Sequence, residues 1–204
     1  SGTTWLQLLT SRMNKRNCQF CDCVRTSNDK HTLNDLKRNH VDIFRHPCDV
    51  AVSMYYFRDI NVTAHTLDDY VLAHVADVVA HQNIQFVRSA RVTLVTYEAL
   101  CARPVETLTR VAHDFHMNLT ESDLAEIVTM TSFEEMRAME RSRQMILDKW
   151  PDSASTIKQG GTAHIMTRTG CNSSFRAVLS PRVSARCAAH VHNRSLIHRY
   201  VESA

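Results

Sequence analysis

The sequence predicts an α/β domain built on a central parallel sheet with helices on both faces, three layers in all. Three observations carry that prediction. Two short apolar runs, Val41 to Phe44 and Val92 to Thr96, have the character of buried strands. The segments that follow them place apolar residues at helical spacing, so strands and helices alternate. The chain has 204 residues, enough for one domain with a core of its own.

In chain order, the first helix is expected from about Thr4 to Met13, with Trp5, Leu8 and Leu9 on one face. The run Val41 to Phe44 ends at Arg45. Pro47 then opens a helix, since its fixed φ and missing N–H cost little at the first position. Val50, Met54 and Phe57 are expected on its inner face. Thr66, with Asp69 in a capping-box-like place, starts another helix with the apolar set Tyr70, Val71, His74, Val75, Val78 and Val79. After the strand at Val92 to Thr96, Pro104 leads into Val105, Leu108, Val111, Ala112 and Phe115 at clean helical spacing. Thr120 and Ser132 have the chemistry of N-caps, and Ser180-Pro181 opens a last helix through about Tyr200. Between Trp150 and Ser174 the periodicity dissolves into glycine, hydroxyl and basic residues, the pattern of a lid or binding loop.

Hydrophobic residues make up 44% and charged residues 22%, both ordinary for a globular chain. The net charge of +3 is spread thinly, which argues against nucleic-acid binding but suits a pocket for a small polyanion. No apolar run approaches the ~20 residues that span a bilayer. Seven cysteines, an odd number without a regular framework, leave at least one free and favour a reduced, cytoplasmic chain. Four N-x-S/T sequons stand at Asn61, Asn118, Asn172 and Asn193, and motifs this short arise by chance. Cys18-x-x-Cys21-x-Cys23 has no second pair at ligand spacing, so no metal site is read from it. His113 and His116, near the end of a helix, fit the helix dipole, and Met130, Met136, Met139 and Met145 fit gap-filling roles.

Two segments carry polyanion chemistry. Ser1-Gly2-Thr3-Thr4-Trp5 leads directly into a helix; small residues allow close backbone approach, and N–H groups at the helix start can hold a phosphate. Arg45-His46-Pro47-Cys48-Asp49-Val50-Ala51-Val52-Ser53 follows a strand. An arginine at a strand's carboxyl end sits where ligands bind in open parallel sheets, and its fork matches a phosphate. Ser53, two turns on, offers a second donor. An Arg45–Asp49 ion pair closing the turn is the competing structural reading.

Together these segments resemble the PAPS-dependent sulfotransferases, of cytosolic type. Ser1 to Trp5 is similar to that family's phosphosulfate loop, and Arg45 to Phe57 to its 3′-phosphate motif. Leu94-Val95-Thr96-Tyr97-Glu98, Thr131-Ser132-Phe133 with Met136, Arg168-Thr169-Gly170 and Phe175-Arg176 follow in the family's order. The resemblance spans nearly the whole chain as one domain over residues 1–204 with a P-loop-like fold. It implies transfer of a sulfuryl group from PAPS, leaving PAP, to a hydroxyl or amine. By position, Ser1, Gly2, Thr3 and Thr4 would hold the 5′-phosphate side. Trp5 and Phe133 would flank the adenine, with Thr131 and Tyr97 at its edge. Arg45, Ser53, Arg168 and Gly170 would hold the 3′-phosphate.

The chain departs from the family's pattern at several points. The family's loop lysine and its first strand would lie upstream of Ser1, which implies a truncated sequence. Ser27, in Arg25-Thr26-Ser27, stands where the family places its catalytic histidine. Serine is no general base near neutral pH, so His31 becomes the candidate base, with His40 next. Thr169 stands in place of a lysine and Phe175 in place of a tryptophan. The expected partner is a small-molecule acceptor, with a homodimer as the candidate assembly and no nucleic acid or membrane. Two alternatives remain: a degenerate relative that binds PAP or PAPS without turnover, and an ATP-using P-loop kinase. The kinase would need Gly-Lys-Ser/Thr where Gly2 is followed by Thr3.

Overall fold

The computed structural model describes residues 3–16, 25–26, 40–57, 66–88, 93–141 and 175–198. Their order is α1 (Thr3–Arg16), β1 (Arg25–Thr26), β2 (His40–Phe44), α2 (Pro47–Phe57), α3 (Leu67–Arg88), β3 (Thr93–Thr96) and α4 (Tyr97–Ala102). Then come α5 (Pro104–Asp114), α6 (Glu121–Met130), α7 (Phe133–Arg141), α8 (Phe175–Val178) and α9 (Pro181–Arg194). The strands form a parallel sheet in the order β1-β2-β3. Val41 pairs with Thr93 and Phe44 with Thr96, so β2 and β3 end level with each other.

The α/β expectation therefore holds, in a molecule that is mostly helical around a small parallel sheet. Val41 and Val95 are buried in one core cluster with Leu6, Leu9 and Met13 of α1, Leu100 of α4, Leu108 and Val111 of α5, and Leu124 and Ile127 of α6. A second cluster joins Cys48, Ala51 and Val52 of α2, Val71, Val75, Val78 and Val79 of α3, Phe175 and Leu179 around α8, and Val183, Cys187 and Val191 of α9. Removing such apolar surface from water is the main force holding the layers together.

Local signals placed most boundaries. Thr120 accepts from the Asp123 N–H while Asp123 accepts from the Thr120 N–H, a full capping box at the start of α6. The Ser180 hydroxyl caps α9, the Thr66 hydroxyl accepts from the Asp69 N–H before α3, and the Ser132 hydroxyl accepts from the Glu135 N–H in α7. Arg16 pairs with Asp123 and Glu126, tying the end of α1 to α6. These groups are exposed, so the pairing orients more than it stabilises.

Several expectations change. On α1 the fully buried stripe is Leu6, Leu9 and Met13, while Trp5 and Leu8 are half-buried. On α2 the inner face is Cys48, Ala51 and Val52, with Val50 and Met54 at its margin. That run is apolar nearly all round, so its periodicity could not select a face. α4 has no linker before it: Thr96 is both the last residue of β3 and the N-cap of α4, accepting from the Ala99 N–H. The last helix is interrupted at Ser195, which turns to extended backbone; helical residues resume at 196–198, and Tyr200 lies outside the described residues. The stretch from Trp150 to Ser174, with its expected lid, lies outside the described residues, as do Cys18, Cys21 and Cys23.

The cysteines give the largest correction. Cys48 on α2 and Cys187 on α9 form a disulfide across a sequence separation of 139, with Cα atoms 6.3 Å apart. The expected reduced chain does not match this pairing. Spacing that wide carries no sequence signal, and only the packing of α9 on α2 reveals it. Among the described residues no helix is long and apolar enough to cross a membrane.

Candidate functional site

Because β2 and β3 run parallel and end level, Arg45 and Tyr97 both leave the sheet at its carboxyl edge, side by side. Ligands of open parallel sheets bind at this edge. The Arg45 guanidinium lies over the Tyr97 ring, 4.4 Å from its centre. Trp5, from the first turns of α1, meets the same ring edge-on at 6.0 Å. The three form a cationic and aromatic corner gathered from three parts of the chain.

The backbone around this corner is held by named bonds. The His46 N–H donates to Glu98 Oε1 at 2.9 Å, linking the arginine segment to the start of α4. The Arg45 carbonyl accepts from Gln82 Nε2 of α3 at 2.9 Å. Asp49 Oδ1 lies 3.9 Å from the Arg45 guanidinium and accepts the Phe175 N–H at 2.9 Å. The His46 ring stacks on Phe175, with centres 4.7 Å apart and planes 11° from parallel. Burial, with Asp49 opposing it, pushes the His46 imidazole down to about 4, so it is neutral at physiological pH.

The ion pair between Arg45 and Asp49 thus exists, as the competing structural reading expects. Asp49 is buried and bridges the arginine to Phe175, 126 residues along the chain. Three segments widely separated in sequence, at Arg45, Tyr97 and Phe175, converge here. Glu98 and Gln82 were not singled out from the sequence, and of Asp49 only its pairing with Arg45 was, not its bond to Phe175. Glu98 sits next to Tyr97, so its position was visible, but its partner was not.

The other candidates are placed as follows. Ser53 is half-buried on α2, two turns from Arg45. Thr3 and Thr4 open α1 as expected for a loop running into a helix. Thr131 is buried and its hydroxyl donates to the carbonyls of Ile127 and Val128, at 2.8 and 3.3 Å. That hydroxyl closes the end of α6, so its proton is already engaged. Phe133 opens α7 and lies 5.2 Å from the Arg137 guanidinium. Ser1, Gly2, Ser27, His31, Arg168 and Gly170 lie outside the described residues.

One buried atom shows what the corner could receive. The indole Nε1 of Trp5 is buried and meets no acceptor among the described residues. Buried indole donors normally find a partner, so an acceptor-bearing group beside Trp5 fits the corner. A nucleotide carries acceptors, anionic oxygens and a flat base, and suits this mixture of arginine, indole and phenol.

The family model for the sulfotransferase domain matches residues 30–163, about two thirds of the 204-residue chain. The chain belongs to the sulfotransferase domain family. Solved structures agree at the level of fold. Mouse sulfotransferase SULT7A1 complexed with PAP superposes with a TM-score of 0.62 at 16% identity, covering 100% of this chain and 85% of the mouse one. Retinol dehydratase, in complex with androsterone and the inactive cofactor PAP, also gives 0.62, at 15% identity, covering 79% of this sulfotransferase domain. The domain spans only 49% of that chain. Compared by sequence with curated proteins, the chain matches none.

Proposed function

We propose that this sulfotransferase domain binds PAPS at the Arg45–Tyr97–Trp5 corner and transfers its sulfuryl group to a hydroxyl or amine of a small-molecule acceptor. The observation that carries the reading is the buried indole N–H of Trp5, without an acceptor among the described residues, set against Tyr97 beneath the Arg45 guanidinium. The PAP held by both structural neighbours supports the same choice of nucleotide. The finer architecture proposed is a single domain with a three-layer, P-loop-like frame.

In this reading Arg45 and Ser53, with Arg168 and Gly170, grip the 3′-phosphate. Ser1, Gly2, Thr3 and Thr4 hold the 5′-phosphate side with hydroxyls, backbone N–H groups and the start of α1. Trp5 and Phe133 flank the adenine, Tyr97 lies at its edge, and Thr131 supports that edge by closing α6. An activated sulfuryl group is what PAPS supplies when bound. His31 is the proposed base that takes the acceptor's proton, since Ser27 has no side chain able to do so near neutral pH. Arg45, fixed by Asp49 and stacked on Tyr97, offers its charge without reorganising. A homodimer is the proposed assembly. The cytoplasmic placement expected from the cysteine count is not carried forward, because Cys48 and Cys187 are bonded.

The deciding experiment is a thermal-shift titration with adenosine 3′,5′-bisphosphate, with ATP and 5′-AMP as controls. A ligand at 100 times its dissociation constant stabilises the folded state by roughly 2.7 kcal/mol. A selective rise with the bisphosphate supports the site; a cooperative transition that ignores it defeats the reading, and a preference for ATP points to the kinase instead. Ser27 favours a second reading, a relative that binds the nucleotide without turnover. Transfer of labelled sulfate from PAPS to an acceptor hydroxyl would exclude it.

A further inference from the structure

We propose that Asn118 carries an N-linked oligosaccharide and that the chain matures in an oxidising, glycosylating lumen. Two independent features of the molecule point there. The first is the Cys48–Cys187 bond, whose residues are both fully buried between α2, α3 and α9. Disulfides form and persist in oxidising compartments and are rare where thiols are kept reduced.

The second is the sequon Asn118-Leu119-Thr120, with no proline at its centre. It occupies the connection between α5 and α6, where Asn118 and Thr120 are exposed. The chain is turned into this connection by His116, at φ 53°, and leaves it through extended backbone at Thr120. A surface connection of this kind tolerates a bulky, hydrated group.

The connection also lies at the end of the sheet away from the arginine corner. Asp114, the last residue of α5, accepts from the Thr93 hydroxyl at 2.8 Å, and Thr93 is the first residue of β3. Arg45 and Tyr97 stand at the opposite, carboxyl ends of the strands. An oligosaccharide on Asn118 therefore leaves the nucleotide site open. The sequon at Asn193 is exposed as well, but its Ser195 is buried at the end of α9, so the proposal rests on Asn118.

The chemistry balances with co-reactants of that lumen. A bond forms between Asn118 Nδ2 and the anomeric carbon of the first sugar, and the bond from that carbon to a lipid diphosphate breaks. The amide loses one proton and the diphosphate leaves. The Cys48 and Cys187 thiols lose two protons and two electrons to a disulfide-bearing oxidant as their bond forms.

The test uses protein isolated from its own cells, alkylated without reduction, digested, and treated with an N-glycosidase in heavy-oxygen water. The expected result is Asn118 converted to heavy-oxygen aspartate and a Cys48–Cys187 linked peptide. Recovery of an unmodified Asn118 peptide, or of alkylated Cys48, overturns the proposal. Asn118→Gln should remove one glycosidase-sensitive step in gel mobility while leaving the bisphosphate-induced thermal shift unchanged. Loss of that shift in the variant would overturn the placement of the glycan away from the site.

Discussion

The Arg45 guanidinium sits 4.4 Å from the centre of the Tyr97 ring, although 52 positions separate the two residues in sequence. Level strand ends in a parallel pair bring them together, and the His46-to-Glu98 bond locks the two turns in step. A cation over an aromatic face is attractive in itself, and the planar fork of a guanidinium matches the geometry of a phosphate.

Replacing Arg45 should weaken binding of adenosine 3′,5′-bisphosphate about 10- to 100-fold, the loss expected when a charge-assisted contact disappears. Arg45→Lys should recover only part of it, because an ammonium keeps the charge but not the planar fork. Titration calorimetry reads the affinity. An accompanying melting curve separates it from any loss of folding caused by leaving Asp49 buried.

Asp49 should matter for stability before it matters for binding. Asp49→Ala leaves the Phe175 N–H and one side of the Arg45 guanidinium without their buried acceptor, at a cost of about 2–4 kcal/mol. Asp49→Asn keeps an oxygen for Phe175 and loses only the charge facing Arg45, so its cost should be smaller. Urea unfolding of the two variants would order them, and equal losses would contradict the bridging role.

His46 predicts a pH dependence with a definite sign. Its folded value of about 4 lies below the ordinary 6.5, so between these values the unfolded chain binds a proton that the folded one excludes. Its contribution is fully present above pH 6.5 and is lost as pH falls towards 4. At pH 5 the wild type should have lost about 1–2 kcal/mol relative to neutrality through this residue. His46→Asn should flatten that part of the profile. Denaturant midpoints at pH 7 and pH 5 test it, and parallel profiles for the two proteins would refute it.

The disulfide should be worth about 2–5 kcal/mol, since it closes a long loop in the unfolded chain. A Cys48→Ala, Cys187→Ala double variant should unfold at correspondingly lower urea, whereas Cys101→Ala, outside the bridge, should leave the midpoint close to wild type. If the double variant matched the wild type, the two helices would be held by packing alone.

What could be read from the chain alone was whatever is encoded over a few neighbouring residues. The strand at Val41 to Phe44, the Pro47 and Pro104 helix starts, and the caps at Thr66, Thr120, Ser132 and Ser180 are local physics: side-chain oxygens near orphan N–H groups, fixed proline φ and apolar spacing. Arg45 could be nominated because it follows a strand, whereas Tyr97 was nominated only through the resemblance to the sulfotransferases. Short-range pattern failed on α2, where apolar residues surround the helix and any face looks inward, and at α4, which starts where β3 stops.

Tertiary structure alone decided which distant groups meet. Trp5, Arg45 and Tyr97 share one corner because of strand order and register. Asp49 reaches Phe175 across 126 positions, and Cys48 finds Cys187 across 139, because α2 packs against α8 and α9. Sequence spacing says little about such pairs, since the entropy of closing a loop varies only slowly with its length. Packing selects among them, and it brings an arginine, a phenol and an indole scattered along the chain into one corner.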